Sequence, residues 1–483
     1  MIKLSRDDLR KWLVASSVGV GLFAGALDTT VNVALPTITR AFSADVAAVQ
    51  WIIIVFMTTS TSLSIGMGSA GDLFGLRRVF LFGLVTYGIA MTLMGFAPNL
   101  PTLVGLRVLQ GIGTSAAIAT GPALVGLAFA AGQRGMGLGV VTASQAAGAI
   151  AAGFIGGVLV DAFGWPAIFW ARVPVIILAL VLVLVLMRER PAGALATTPR
   201  PEFKRPSFDL VGAITLFLTI ASVLLGFNLI RSQGWSSGPV VVLFISALIS
   251  GIVFVATERR VTRPVMDLRL FRRFGFTGAF LTLFLSSLGT FLVWFIFPFY
   301  IADVLEQSAK ILGLLLGFMA VCMTVVAPIG GWLSDRVSPH RMVTLATAVL
   351  VLALFGISRM GAESSLVAVA IPIGLVGIGL GTLRTSARTL VLASVPEERF
   401  GTALGALALG GSMGSVTSVA LFSVLFSVRF DSHTVRLSGE GLTAAGVEFQ
   451  AFVSAFQEVF ALGALMVALA MLTSLVAWRR PSG

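Results

Sequence analysis

The sequence predicts an all-α integral membrane protein with 14 transmembrane helices, arranged as two six-helix bundles plus two inserted helices. Three observations carry that expectation. With 57% hydrophobic residues, 11% charged residues and a mean hydropathy of +1.00, the chain has more apolar surface than a soluble core can enclose, so lipid must be its solvent. A window of about 20 residues, the length that spans a bilayer, finds fourteen apolar runs. A charged hinge between two long runs occurs twice, as Gly68-Ser-Ala-Gly-Asp72-Leu-Phe-Gly75-Leu-Arg77-Arg78 and as Gly331-Trp-Leu-Ser-Asp335-Arg336-Val-Ser-Pro-His340-Arg341.

Met1 to Lys11 is short and charged, and run 12-37 continues past Asp28 to Pro36 without a small-residue cleavage signal. It reads as a retained first helix. Runs 47-70 and 79-97 flank the first hinge. There Gly68 lets another helix approach, Asp72 can cap or face a helix N-terminus, and Arg77 and Arg78 hold the loop at the headgroups. Runs 101-125, 136-160 and 165-187 complete a first set of six. Residues 188-209, rich in Pro, Ala, Thr and charge, suit a flexible linker.

Runs 210-230 and 238-257 follow, with no ionisable residue between Leu210 and Ile230 or between Val241 and Thr257. The basic stretch 258-275 is expected to lie on the anionic leaflet. Runs 276-301, 311-333, 342-360, 365-393, 401-427 and 456-478 form the second set, the second hinge joining 311-333 to 342-360. Segment 428-455 carries apolar residues at helical spacing and is expected to be an interfacial helix. The chain thus divides into 1-187, 188-275 and 276-483.

Charge sets the orientation. Of the 33 Lys and Arg, only Arg40, Arg231, Lys310, Arg359, Arg429 and Arg436 fall on the side opposite the N-terminus, and Arg107, Arg172, Arg384 and Arg388 lie within spans. Basic residues stay inside, so both termini are expected in the cytoplasm of a multi-pass plasma-membrane protein. The formal charge of +12 is scattered over loops with no dense stripe, which argues against nucleic acid as partner. The single cysteine, Cys322, excludes a disulfide framework and a Cys/His zinc site. Gly410-Gly-Ser412-Met-Gly414 matches a hydrolase pattern, but it lies in an apolar run, and neither of the two histidines, His340 and His433, can serve Ser412 as base. No metal, haem or nucleotide site is visible, so no cofactor is expected and a proton gradient is the expected source of energy.

An ionisable residue within a span is costly and must face protein or water. The one deep acid is Asp28, in the outer half of the first run, and Arg107 in the fourth run lies at similar depth, so an ion pair between them is within reach. A carboxyl group there would bind or release a proton whenever water access or pairing changed.

Leu27-Asp28-Thr29-Thr30-Val31-Asn32-Val33-Ala34-Leu35-Pro36, followed by Gln50-Trp51, resembles the first-helix signature of the fourteen-span drug:proton antiporters of the major facilitator superfamily. The hinge copies resemble that superfamily's loop motif between helices 2 and 3, and Arg107-Val-Leu-Gln110-Gly111-Ile-Gly113 is similar to its fourth-helix motif. The resemblance implies two bundles rocking about a midplane cavity, proton coupling through Asp28 and Arg107, a conformational latch at Gly68, Asp72, Gly75, Arg77, Arg78, Asp335 and Arg336, and a monomeric exporter of drugs. Gly148, Gly153, Gly156 and Gly157 are similar to the family's fifth-helix packing glycines, with Ala152-Gly153 where the family has Gly-Pro.

Apart from Asp28 no acid lies deep enough to meet a multivalent cation, so a lipophilic neutral molecule or monocation is the expected substrate, with an endogenous lipid or hydrophobic metabolite as the alternative. A non-transporting membrane sensor or scaffold is the remote alternative, opposed by the buried Asp28. Aromatic residues around the ninth run, Trp294 among them, could grip such molecules. Asn32, Gln110, Ser144, Gln145 and Ser412 are the polar cavity candidates.

Asp72→Ala or Arg78→Ala is expected to slow transport while changing ligand affinity by less than about tenfold, roughly 1.4 kcal/mol, because the hinge sets the balance of conformations without touching the ligand. Separate measurement of ligand affinity and turnover checks this.

Overall fold

A computed structural model describes residues 6–129, 133–187, 210–234, 236–261, 268–394, 400–439 and 443–479. Linker 188-209 lies outside these, as does 262–267 of the basic stretch. The described residues form helices and no strands, and thirteen helical segments are long and apolar enough to cross a membrane. The fourteenth expected span, α9 (Leu210–Gln233), contributes the apolar stretch Ile214–Val223 among the described residues.

The first span is divided by a 3-10 turn, Leu27–Thr29, into α1 (Arg6–Ala26) and α2 (Thr30–Ala41). Helices α3 (Val46–Phe74), α4 (Leu76–Met94), α5 (Leu100–Ala128) and α6 (Arg134–Phe163) follow. The sixth span is broken too, into α7 (Ala167–Trp170) and α8 (Val173–Leu186), with Pro174 at the start of α8, where a missing N–H costs nothing. Helix α10 (Gly238–Glu258) pairs with α9. The ninth span, expected as one run, is α11 (Phe274–Thr290), α12 (Leu292–Phe295), α13 (Phe297–Phe299) and a π turn, Tyr300–Val304, with Pro298 in the broken stretch. Helices α14 (Ala309–Arg336), α15 (Pro339–Ser358), α16 (Leu366–Ser394), α17 (Phe400–Leu437) and α18 (Ala444–Arg479) complete the chain. The expected separate interfacial helix in 428-455 is instead made of the end of α17, to Leu437, and the start of α18, from Ala444, because the helical periodicity on each side of Gly439 runs on into the flanking span.

Packing repeats between the halves. Contacts of α1 with α6 and α8, of α5 with α3 and α4, and of α4 with α8 are matched by those of α11 with α17 and α18, of α16 with α14 and α15, and of α15 with α18. Helix α9 lies against α3 and α17, and α10 packs on α9. On α10 the apolar side chains Val242, Ile245, Leu248, Ile249 and Ile252 point outward, with Leu248 64% exposed, as expected of a surface solvated by lipid tails.

The halves meet at the end of the molecule that holds residues 42–45 and 305–308, opposite the hinges. A Cβ on Gly153 of α6 would stand 2.4 Å from the Gly317 nitrogen of α14, and one on Gly157 would stand 2.4 Å from the Ala309 carbonyl oxygen. The two backbones touch with nothing between them, the small-residue mode of helix packing in membranes. The Asp161 carboxylate accepts from the Ala309 N–H at 3.0 Å and the Lys310 N–H at 2.9 Å, capping α14 from the other half. Arg40 donates to Asp303 at 2.5 Å and to the Ala302 carbonyl at 3.3 Å, and the Ser423 hydroxyl donates to Gln50.

At the hinge, Gly75 has φ 97°, which a side chain would strain. The matching Ser338 has φ 164°, extended backbone open to any residue, so the second hinge does without that glycine. Arg77 donates to the Val183 and Leu184 carbonyls at 3.4 and 3.3 Å, tying the hinge to the end of α8 within its own half. Arg336 stacks on Trp332 with its guanidinium carbon 4.2 Å from the ring centre. Asp72 and Asp335 occupy the last turns of α3 and α14; their side chains lie outside the described set.

Gly153→Val should cost the closed seam roughly 1–3 kcal/mol through overpacking and shift the protein toward conformers open at this end. Gly105→Val, where a Cβ meets nothing within 4 Å, should not. Spin-label distances between the 163 end of α6 and the 309 end of α14 measure the shift.

Candidate functional site

The two helix breaks of the first half create the site. Asp28 sits in the 3-10 turn between α1 and α2, and Arg172 sits where α7 gives way to α8. Both side chains project from interrupted backbone toward α5, where Arg107 and Gln110 lie one turn apart on a single face. Arg107 donates to Asp28 Oδ1 at 2.9 Å, Arg172 donates to the same oxygen at 2.8 Å, and Gln110 Nε2 donates to it at 2.8 Å. Arg107 also donates to Gln110 Oε1 at 2.5 Å. The three donors to Asp28 all meet Oδ1, and Oδ2 receives none of them.

Burial differs across the cluster: both arginines are 1% exposed, Asp28 17%. The guanidiniums are walled off by rings, Arg107 lying 5.4 Å from the centre of Phe56 and both lying 5.7 Å from that of Phe169. Arg172 reaches further, to the Thr30 hydroxyl, to Tyr87 at 3.5 Å and to Met91 Sδ at 3.5 Å. Tyr87 in turn donates to the Ala24 carbonyl at 2.9 Å, at the end of α1 just before the break. One carboxylate therefore compensates two buried cations, and the Nε atoms of both arginines are buried without a hydrogen-bond partner.

Among the cavity candidates, Gln110 belongs to the Asp28 cluster, and Asn32 is buried in α2. Gln145 lines a cavity of about 130 Å³ together with Gly21, Gly25, Tyr87, Thr114 and Ile118. Ser412 is half-buried in α17, and Trp294 packs half-buried against the core. Most of the aromatic run is core as well: Phe276, Phe295, Phe297, Phe299 and Tyr300 are at most 1% exposed, and Tyr300 stacks on Phe456 with centroids 4.4 Å apart. These five pack within the second half rather than facing lipid, and Phe299 also lines a cavity of about 530 Å³ with Val304, Phe426 and Phe430. Gly148 meets the Phe23 carbonyl and Gly156 meets Thr30, so these two glycines pack α6 against the first span, while Gly153 and Gly157 pack it against the other half.

Sequence reasoning did not place Arg172 on Asp28, and it missed Tyr87 and Asp161. A signal existed for Tyr87: a chain with 36 Phe and 2 Tyr uses a phenolic hydroxyl only where it needs one, and the other, Tyr300, donates to the Gly361 carbonyl at 2.7 Å.

The family model described as Major Facilitator Superfamily matches residues 18–282 and again 279–483. The chain belongs to this superfamily. It is a multi-pass membrane transporter and not an enzyme, and its relatives include multidrug efflux proteins. It is 27% identical over 434 residues to the riboflavin transporter RibZ of Clostridioides difficile, covering 88% of this chain and 91% of that one. It is 30% identical over 431 residues to the tetracenomycin C resistance and export protein of Streptomyces glaucescens, covering 87% and 77%. Over 430 residues it is 28% identical to the multidrug resistance protein Stp of Mycobacterium tuberculosis, covering 88% and 78%. Among solved structures, a bacterial homologue of the human lysosomal transporter Spinster, inward-facing and unoccupied, aligns with a TM-score of 0.71 at 14% identity over 98% of both chains. That likeness is one of fold.

Asn replaces Asp28 at nearly constant volume, so by size alone Asp28→Asn should fold normally. Two guanidiniums on one carboxylate change that expectation. The substitution leaves both cations uncompensated and should destabilise the protein by roughly 3–5 kcal/mol, and adding Arg172→Gln should restore most of the loss. Thermal unfolding of the purified single and double variants measures both effects.

Proposed function

We propose that this transporter is a proton-coupled antiporter exporting lipophilic compounds by alternating access, with Asp28 as the proton carrier. The observation that supports it best is the convergence of Arg107, Arg172 and Gln110 on Oδ1 of a carboxylate that retains partial exposure. Oδ2 is left to take a proton, and a protonated Asp28 would no longer compensate the two guanidiniums. Protonation would thus change the electrostatics between α5, the α1–α2 break and the α7–α8 break together, which is what a coupling site requires.

The two moving bodies of this reading are 1-187 and 276-483, with 188-275 carried between them. The Asp161 cap, the Arg40–Asp303 pair and the glycine seam of α6 and α14 form the gate at one end, and the hinges set the balance at the other. By the positive-inside rule that gate is extracytoplasmic and the termini cytoplasmic. The transporter acts as a monomer in the plasma membrane. Asp28 is deprotonated when substrate enters from the cytoplasm or inner leaflet, takes a proton once the far gate opens, and releases it inward after substrate has left.

Substrate class follows from what the site offers. Asp28 is already engaged by three donors, so the monocation within the expected range loses its partner, while neutral lipophilic compounds keep theirs. The alternative, export of an endogenous lipid or hydrophobic metabolite, rests on the aromatic content and the scarcity of cavity charge; burial of Phe276, Phe295, Phe297 and Tyr300 weakens the first ground and leaves the second. The likeness to a riboflavin transporter and to a tetracenomycin exporter supports flat polycyclic substrates.

In a pump-deficient bacterium the chain should lower the accumulation of the neutral dye Nile red more than that of the cations ethidium and rhodamine 6G, and an uncoupler should abolish the effect. The variant combining Asp28→Asn with Arg172→Gln should reach the membrane in normal amount and export none of them. Export at the native rate by that variant, with the proton gradient as sole energy source, overturns the assignment.

A further inference from the structure

The cavity of about 130 Å³ in the first half is walled by α1, α4, α5 and α6, and no charged side chain lines it. Leu22, Leu84 and Ala117 give it alkyl walls, and a Cβ on Gly25 would meet nothing within 4 Å, so α1 leaves space there. Two polar side chains line the same space without partners. Thr114 of α5 is 6% exposed, and its hydroxyl is buried with no hydrogen bond. Gln145 of α6 is half-buried, and among the described residues its carboxamide makes no hydrogen bond. The third polar wall, Tyr87, is already satisfied: it donates to the Ala24 carbonyl at 2.9 Å and lies 3.5 Å from Arg172 of the Asp28 cluster.

A buried hydroxyl without a partner is costly to keep, and valine would remove that cost at nearly equal volume. The hydroxyl and the carboxamide on one cavity therefore point to an occupant that satisfies both. Water would meet Thr114 and Gln145 but leave the alkyl walls against solvent, and a lipid tail would cover the walls but leave the two polar groups unmet. A flat ring with a polar edge meets both demands. The space is about the size that admits one six-membered ring. A carboxamide pairs with a lactam or imide edge through two antiparallel hydrogen bonds, its N–H donating to the ring carbonyl and its C=O accepting from the ring N–H, and the Thr114 hydroxyl is a donor for a second carbonyl of that edge.

We propose that Thr114 and Gln145 form a hydrogen-bonding subsite that receives the lactam or imide edge of one ring of a neutral, flat polycyclic substrate. The subsite rests on the transporter reading above and narrows its substrate class from neutral lipophilic compounds to those that carry such an edge. Tyr87 is a wall of the subsite and a neighbour of Arg172, so the bound ring lies beside the Asp28 cluster without drawing on the donors that hold the carboxylate.

Lumichrome, a neutral flat imide, and 3-methyllumichrome, in which a methyl group replaces the imide hydrogen, test the proposal by equilibrium dialysis on the full chain purified in phospholipid-free detergent, with detergent alone as the blank. Lumichrome should bind at least about tenfold more tightly than its methylated form, because the methyl group leaves the Gln145 carbonyl unpaired. Gln145→Leu should erase that preference. Thr114→Val should weaken lumichrome binding with no fall in the melting temperature of the ligand-free protein, whereas Thr114→Ser should keep most of the affinity. Gly25→Leu, which fills the space, should abolish binding of both compounds. Equal binding of the two, binding of neither, or a preference that survives Gln145→Leu overturns the proposal. A lower melting temperature of ligand-free Thr114→Val assigns the hydroxyl to the fold and overturns it equally. The measurement needs no gradient, so its failure leaves proton coupling through Asp28 standing, and loss of coupling leaves the subsite standing.

Discussion

A carboxylate shared between two guanidiniums in a medium without water is the constraint around which the first half is arranged. Each of the three charges would be strongly unfavourable alone in hydrocarbon, and removing Asp28 leaves both guanidiniums uncompensated. Holding them in contact requires backbone that is not continuous helix: Asp28 sits in a 3-10 turn, and Arg172 follows a four-residue helix and precedes Pro174. Straight spans would point these side chains along helix faces, not into one another. The phenylalanine rings cover the guanidiniums, and the Tyr87–Ala24 hydrogen bond fixes the end of α1 beside the cluster. Broken helices that line a buried polar site are tolerated in membranes because neighbouring side chains satisfy the freed backbone groups.

The second half meets the first through contacts of a different kind. Glycine on glycine between α6 and α14 gives close backbone approach without hydrogen-bond specificity, and it sits beside a charge-assisted cap, Asp161 on the start of α14. Lipid tails compete poorly with such shape-matched surfaces but do not drive helices together, so the seam holds by van der Waals contact and a few polar bonds. That balance suits an interface that must open. A wide apolar interlock would close it permanently, and a purely polar one would admit water along its length.

The spans, their pairing into repeats and the Asp28–Arg107 relation were legible in the sequence because each depends on spacing and on the cost of charge in lipid. Hydropathy reads a span whether or not its helix is straight, which is why the breaks at Leu27–Thr29 and within the ninth span went unread. Those breaks decided what followed: one brought Arg172 to Asp28, the other folded Phe297, Phe299 and Tyr300 into the core. The extension of α17 to Leu437 was likewise hidden, since a helix leaving the bilayer and an interfacial helix share one periodicity. Gly148, Gly153, Gly156 and Gly157 could be chosen as packing positions from residue type alone, yet only coordinates divide them between the first span and the opposite half.

The distribution of charge also bears on energetics. Carrying one elementary charge across the membrane is worth about 2.3 kcal/mol per 100 mV. With the interior of the cell negative, expelling a cation in exchange for one proton moves no net charge, and only the pH difference drives it. Expelling a neutral molecule for a proton gains the potential once, and expelling an anion gains it twice. On the proton-antiport reading proposed above, the two guanidiniums beside the single deep acid, Asp28, favour the second and third cases over the first, because a cation would meet like charge there.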